Sequence, residues 1–169
     1  ESKYVDGFAE DTTGSGTFTT PGYAADHQVD LSAGHGLEVG DVIRVSSTNT
    51  LPSPLTANTD YYVKTVESLN AITIATVSAS GTTVDFTDAG SASATHTFHK
   101  RSINNLDHLQ GEEVSILVDG SVVDSQTVTS NKVVPIGSSY STRAIAGKEY
   151  TSKLITLPIS MGPDGRVRI

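Results

Sequence analysis

Histidines, carboxylates and tyrosines are the side chains in this 169-residue chain with which chemistry could be done, because it has no cysteine. That absence removes thiolate nucleophiles, iron–sulfur clusters and cysteine zinc sites together. His96, His99 and His108 are by type a zinc set. Residues three apart on a strand point to opposite faces, so His96 and His99 can share an ion only across a bulge. His35, between Gly34 and Gly36, reads as a turn side chain capping backbone groups. Asp85 and Asp88, with Asp60 or Asp41, offer oxygens to calcium, but no twelve-residue loop of alternating ligands surrounds them. They read as solvated turn acids. Asp41, following Gly40, is expected to tie down the turn that enters the next strand.

Serine, histidine and aspartate are all present, yet nothing has the form of a nucleophile elbow. Gly14-x-Gly16 lacks the strand–turn–helix setting of a phosphate loop. Glu112 and Glu113 are adjacent, so on a strand they face opposite sides, which suits neither glycosidase geometry. Tyr61, Tyr62, Tyr140 and Tyr150 could offer stacking faces to sugars. For Tyr61 and Tyr62 the competing reading is that one packs in a core and the other covers a cross-strand neighbour. The chain therefore reads as no enzyme, with no metal and no cofactor implied.

The elements that position these residues are strands. Period-two patterning recurs at Val29–Leu31, Val42–Val45, Tyr61–Val66, Ile72–Val77, Val84–Phe86 and Ala94–Phe98. Tyr61 and Val63 should share one face and Tyr62 the other. Leu69-Asn70 is placed to join two of these runs as a hairpin. Leu51-Pro52-Ser53-Pro54-Leu55 is a loop that cannot donate to a central ladder. Val114–Val118 and Ser121–Val123 flank Asp119-Gly120, the strongest short-range hairpin signal. A further pair, Gln126–Thr129 and Lys132–Ile136, surrounds Ser130-Asn131. Gly162-Pro163-Asp164-Gly165 is one more tight turn. No run has helical period, and serine and threonine make up about a quarter of the chain. The expected fold is all-β: two small antiparallel barrel or sandwich domains, one inserted into the other.

Net charge is −8, which argues against nucleic acid as a stable partner. Residues 14–99 carry eight acids against Arg44 and Lys64, whereas residues 100–169 carry seven acids against eight bases. That break near residue 100 suggests a boundary. No apolar run reaches 18 residues, so no membrane span is expected. The first residues, Glu1-Ser2-Lys3-Tyr4, have neither methionine nor signal-peptide character, and the chain is expected to be an excised piece of a longer protein.

Leu106-Asp107-His108-Leu109-Gln110-Gly111, followed by Leu117-Val118-Asp119-Gly120, resembles a motif of bacteriophage tail nozzle and tail tubular proteins of short-tailed phages. Gly147, Tyr150-Thr151-Ser152, Leu154 and Thr156-Leu157-Pro158 continue the resemblance over about 60 residues, and Gly165-Arg166-Val167-Arg168 is similar to the start of the family's next basic strand. The family has glycine where this chain has Asn105, and leucine-proline where it has Lys148-Glu149. His108 is expected, on this resemblance, to bond nearby main chain and hold its loop. Lys3-Tyr4-Val5-Asp6-Gly7-Phe8 resembles a family strand that lies only a short loop before the histidine motif. The resemblance thus implies that residues 14–99 are an inserted module and that residues 1–13 and 100–169 form one discontinuous domain. Within the insert, His35-Gly36-Leu37, Gly40-Asp41-Val42, Leu51-Pro52 with Leu55, and Thr59-Asp60-Tyr61-Tyr62-Val63 resemble a small β module of phage tail proteins.

What the resemblance implies is a structural part of a virion tail, assembling as a ring homo-oligomer with other tail subunits. The alternative is an adhesion module that touches a host-surface glycan, with Tyr61 and Tyr62 as candidate contacts.

Overall fold

The computed structural model describes residues 4–11, 14–20, 27–32, 34–134, 143–150, 160–161 and 167–168, and for residues 4–11, 124, 160–161 and 167–168 the backbone alone. Every named element but a single 3-10 turn is a strand, so the fold is all-β.

Six strands close a barrel: β2 (Ser15–Thr19), β3 (Val29–Leu31), β4 (Val42–Ser47), β5 (Asp60–Ser68), β6 (Ala71–Ala75) and β7 (His96–Lys100). Neighbours run in the order β2-β3-β6-β5-β4-β7, every pair antiparallel, and β7 returns to β2. Closure leaves the barrel with no open sheet edge. Alternation sorts its faces as the pleat requires: Tyr61 and Val63 are buried and Tyr62 is half-buried. Phe18, Leu31, Ile43, Val45, Val63, Ile72, Ile74 and Phe98 fill the interior. Each such side chain taken fully out of water contributes about 1.5–3 kcal/mol.

Two assignments along the barrel differ from the sequence reading. Val84–Phe86 is not a strand of the barrel: Val84 and Phe86 are buried, but the segment is held by the Val84 N–H on the Ile74 carbonyl and a single bridge from Thr83 to Ala75. An extended segment laid over a core buries alternate residues without joining a ladder. The sixth strand is instead β2, whose one large apolar residue, Phe18, gives almost no period-two signal. Its Gly16 is required by close approach, since a Cβ there would stand 2.8 Å from the ring of Phe98 across the pair. The last strand also begins later than Ala94, at His96.

The second sheet has the order β1-β10-β8-β9, from β1 (Tyr4–Asp11), β8 (Glu113–Val118), β9 (Ser121–Thr127) and β10 (Ala144–Tyr150). It lies on its own core of Ile103, Leu106, Leu109, Val114, Ile116, Val128, Val133, Ala144 and Ala146. Asp119 and Gly120 both have positive φ, 47° and 83°, as a two-residue turn between β8 and β9 needs. Ser130 and Asn131 do the same, and Thr129 bridges to Lys132. β11 (Ser160–Met161) pairs with β12 (Val167–Arg168). Tyr140, Thr151-Ser152, Leu154, Thr156-Leu157-Pro158, the turn at 162–165 and residues 135–136 lie outside the described residues.

Candidate functional site: the Asp41 junction

The strand β7 leaves the barrel at Lys100 and continues as an extended segment, Arg101 to Asn104. Alternation divides its side chains. Ile103 is fully buried in the second core, where its N–H and carbonyl pair with those of Val133 at 2.8 and 3.1 Å. Ser102 and Asn104 turn the other way, toward the barrel, and both meet Asp41.

Asp41 closes the turn before β4, and its carboxylate has no exposure to solvent. Oδ2 accepts the Glu38 N–H at 2.9 Å, which ties down the turn as its position after Gly40 suggested. Oδ1 accepts from Ser102 Oγ at 2.9 Å, Asn104 Nδ2 at 2.8 Å and Lys132 Nζ at 2.9 Å. Lys100 Nζ stands 3.8 Å from Oδ2. Burial by itself pushes a carboxyl up. Here the Glu38 amide, Lys132, Lys100 and Asn104 outweigh it and hold Asp41 below its ordinary value. Lys132 also donates to the Val39 carbonyl at 3.2 Å, so its ammonium is committed to the barrel while its own backbone belongs to the Ser130-Asn131 turn of the second body. A neighbouring ion-pair set has Arg44 and Arg101 on one oxygen of Asp60, with Arg44 and Asp60 directly opposite across β4 and β5.

Beside this junction runs a groove of about 740 Å³ whose walls include Tyr62, Ser78, Ser80, Thr129, Ser130 and Lys132. Tyr61 takes no part in it: the ring is enclosed in the barrel core and its hydroxyl accepts the Thr56 N–H at 2.9 Å. The two candidate contacts are therefore divided, with Tyr62 alone on an open surface.

The segment from Leu106 to Gly111 is built on the second core. Leu106 and Leu109 are its buried anchors, and Asp107-His108-Leu109 forms the 3-10 turn between them. Asp107, His108 and Gly111 are exposed. Hydrogen bonds within this loop include those from Leu106 N–H to the Asn131 carbonyl, from Gly111 N–H to the Val128 carbonyl, and from Asn131 N–H to Gln110 Oε1 at 2.8 Å. Asn105, just before this segment, adopts φ 63°. Tyr150, at the end of β10 opposite Tyr4, is half exposed.

The remaining candidates are dispersed. His96 is buried against Phe18 and bonds Ser47, while His99 lies on the other face beside Ser46, and burial lowers its pKa. His35 Nδ1 accepts the Leu37 N–H at 2.9 Å, which leaves Nε2 as the donor to the Ser68 carbonyl at 3.2 Å. Asp85 pairs with His27 at the surface. Asp88 accepts the Ser53 and Gly90 amides, which hold its carboxyl low. Glu112 pairs with Lys148, and Glu149 accepts from Ser115. Among the described residues no three acidic or histidine side chains converge on a point that would hold a metal ion, and no helix is long and apolar enough to cross a membrane.

The sequence reading saw Asp41 but not its partners. Lys132 is 91 positions away, and Ser102 and Asn104 carry no motif. The legible signal was alternation: Ser102 and Asn104 flanking Ile103, and Lys132 preceding Val133, each set a polar side chain opposite an apolar one. No family model matches the chain, and no curated protein matches it.

Proposed function

We propose that this chain is a structural, non-catalytic component of a bacteriophage virion tail, of the nozzle or tail-tube kind. In this reading residues 1–13 and 100–169 are the host domain, and residues 14–99 are a module inserted in one of its loops. The observation that carries it is the place of β1. This strand, which resembles the family strand preceding the histidine motif, pairs with β10 beside β8 and β9, although the six strands β2 to β7 that follow it in the chain close a separate barrel. An insertion with adjacent ends gives that arrangement. Asn105 supports the reading, because it occupies the left-handed region at a position where the family has glycine, and asparagine is among the residues that tolerate it. Leu106 and Leu109 support it as well, as buried anchors of the motif.

The parent protein assembles as a ring with other tail subunits, through heterologous contacts between copies. A net charge of −8 suits passage of DNA without retention. Gold-labelled antibody against this chain, applied to particles of the phage or induced lysogen that encodes it, tests the reading. Label at the tail end supports it, and intact particles without label overturn it. A second reading, host-surface adhesion, is favoured by Tyr62 on the open groove. It predicts attachment to host cells that a soluble glycan competes away and that Tyr62→Ala abolishes.

A further inference from the structure

We infer that the Lys132–Asp41 contact is an orientational lock, which turns two separately cored bodies joined by a two-stranded hinge into one rigid unit. Among the described residues the chain passes between the barrel and the second sheet twice, from β1 to β2 and from β7 into the segment at 101–104. These crossings lie side by side, with the Lys100 N–H donating to the Gly14 carbonyl at 2.8 Å. Two adjacent crossings define an axis and leave rotation about it free. Interfaces of this kind between domains permit relative motion unless something further fixes them. The bonds from Ser102 and Asn104 to Asp41 come from the crossing segment itself, so they stiffen the hinge. Lys132 is different. It reaches the barrel from the Ser130-Asn131 turn, which is anchored to the second core through Val133 and the Leu106 N–H on the Asn131 carbonyl. Its ammonium seizes two points of the barrel's 38–41 turn, Asp41 Oδ1 and the Val39 carbonyl. A third tie, reaching the same turn from an element that belongs to neither crossing and gripping it at two points, opposes the remaining rotation. Because the Asp41 carboxylate is enclosed, water does not compete for it as it would at a surface pair.

The inference concerns the chain itself and stands whether or not the tail reading does. A chain without cysteine accepts a unique pair of spin labels. Leu69→Cys at the tip between β5 and β6 and Val122→Cys beside the Asp119-Gly120 turn are both exposed and lie outside the junction. Electron–electron distance measurement on the labelled full chain should give one narrow distribution. Adding Lys132→Met, or Asp41→Asn, should broaden it into several distances while circular dichroism retains the strand spectrum. A distribution equally narrow in both variants, or already broad without them, overturns the lock. Loss of fold in both variants also overturns it, since the contact would then belong to a core and not to a hinge.

Discussion

Asp41→Asn is the substitution that weighs burial against geometry. The Asp41 carboxylate is wholly enclosed, and its cationic partners Lys132 and Lys100 keep only 12% and 8% of their side-chain surface. Removing the charge takes the facing carboxylate from both ammonium groups, and breaking a buried pair from one side costs about 3–5 kcal/mol. Lys148→Met breaks a pair of similar length, 2.7 Å against 2.9 Å, but Lys148 and Glu112 are 54% and 50% exposed. Such a pair contributes at most about 1 kcal/mol, so distance does not decide the outcome and desolvation does. The Asn variant keeps the size of the side chain but accepts at one of the two oxygen positions only, so either the Glu38 N–H or the Ser102, Asn104 and Lys132 donors lose their acceptor. The cost of the variant stays within the roughly 5–15 kcal/mol by which domains are stable. Urea unfolding followed by circular dichroism reads both variants, and with a slope near 1–3 kcal/mol per molar the Asp41→Asn midpoint should fall by about 1 M or more. A midpoint shift no larger than that of Lys148→Met would refute the reasoning.

The same carboxylate sets an acid limit. Its folded pKa lies below the ordinary 3.8, so the stability it confers is complete above that value and disappears as pH falls through the lower one. Lys132, Lys100 and, through Asn104, Glu38 are the charged groups around it. Stability of the native chain should therefore decline more steeply below pH 3.8 than that of Asp41→Asn, as acid titration of the unfolding midpoint would reveal. Leu106→Ala, which empties a fully buried position of the second core, should cost about 2–5 kcal/mol, against about 1 kcal/mol for Gln110→Ala, which loses loop hydrogen bonds. Equal losses in chemical denaturation would show that the motif is not anchored by its leucines. Asn105→Gly should leave stability nearly unchanged, whereas Asn105→Ala should lose about 1–2 kcal/mol at φ 63°, and calorimetric midpoints separate the two.

Strands with strong alternation were legible in the sequence, because a half-buried pleat writes itself as period two. Tyr61-Tyr62-Val63 fell on the faces expected, and Asp119-Gly120 made the turn its backbone demands. β2 was illegible for a physical reason: it needs a glycine under Phe98 and one phenylalanine, and neither gives a pattern. Val84 and Phe86 misled in the opposite sense, since burial of alternate residues does not require a ladder. At the junction, Asp41 could be placed in its turn from Gly40-Asp41 alone. The lysine that it holds could not, because contact across 91 positions follows from how two bodies meet and not from local spacing.

The most direct test of the tail assignment is a cryo-electron reconstruction of the tail end of particles that carry this chain. The account predicts copies repeated around the tail axis, each with a six-stranded barrel and a four-stranded sheet in one fixed mutual orientation. A tail end whose density accommodates neither body would contradict it.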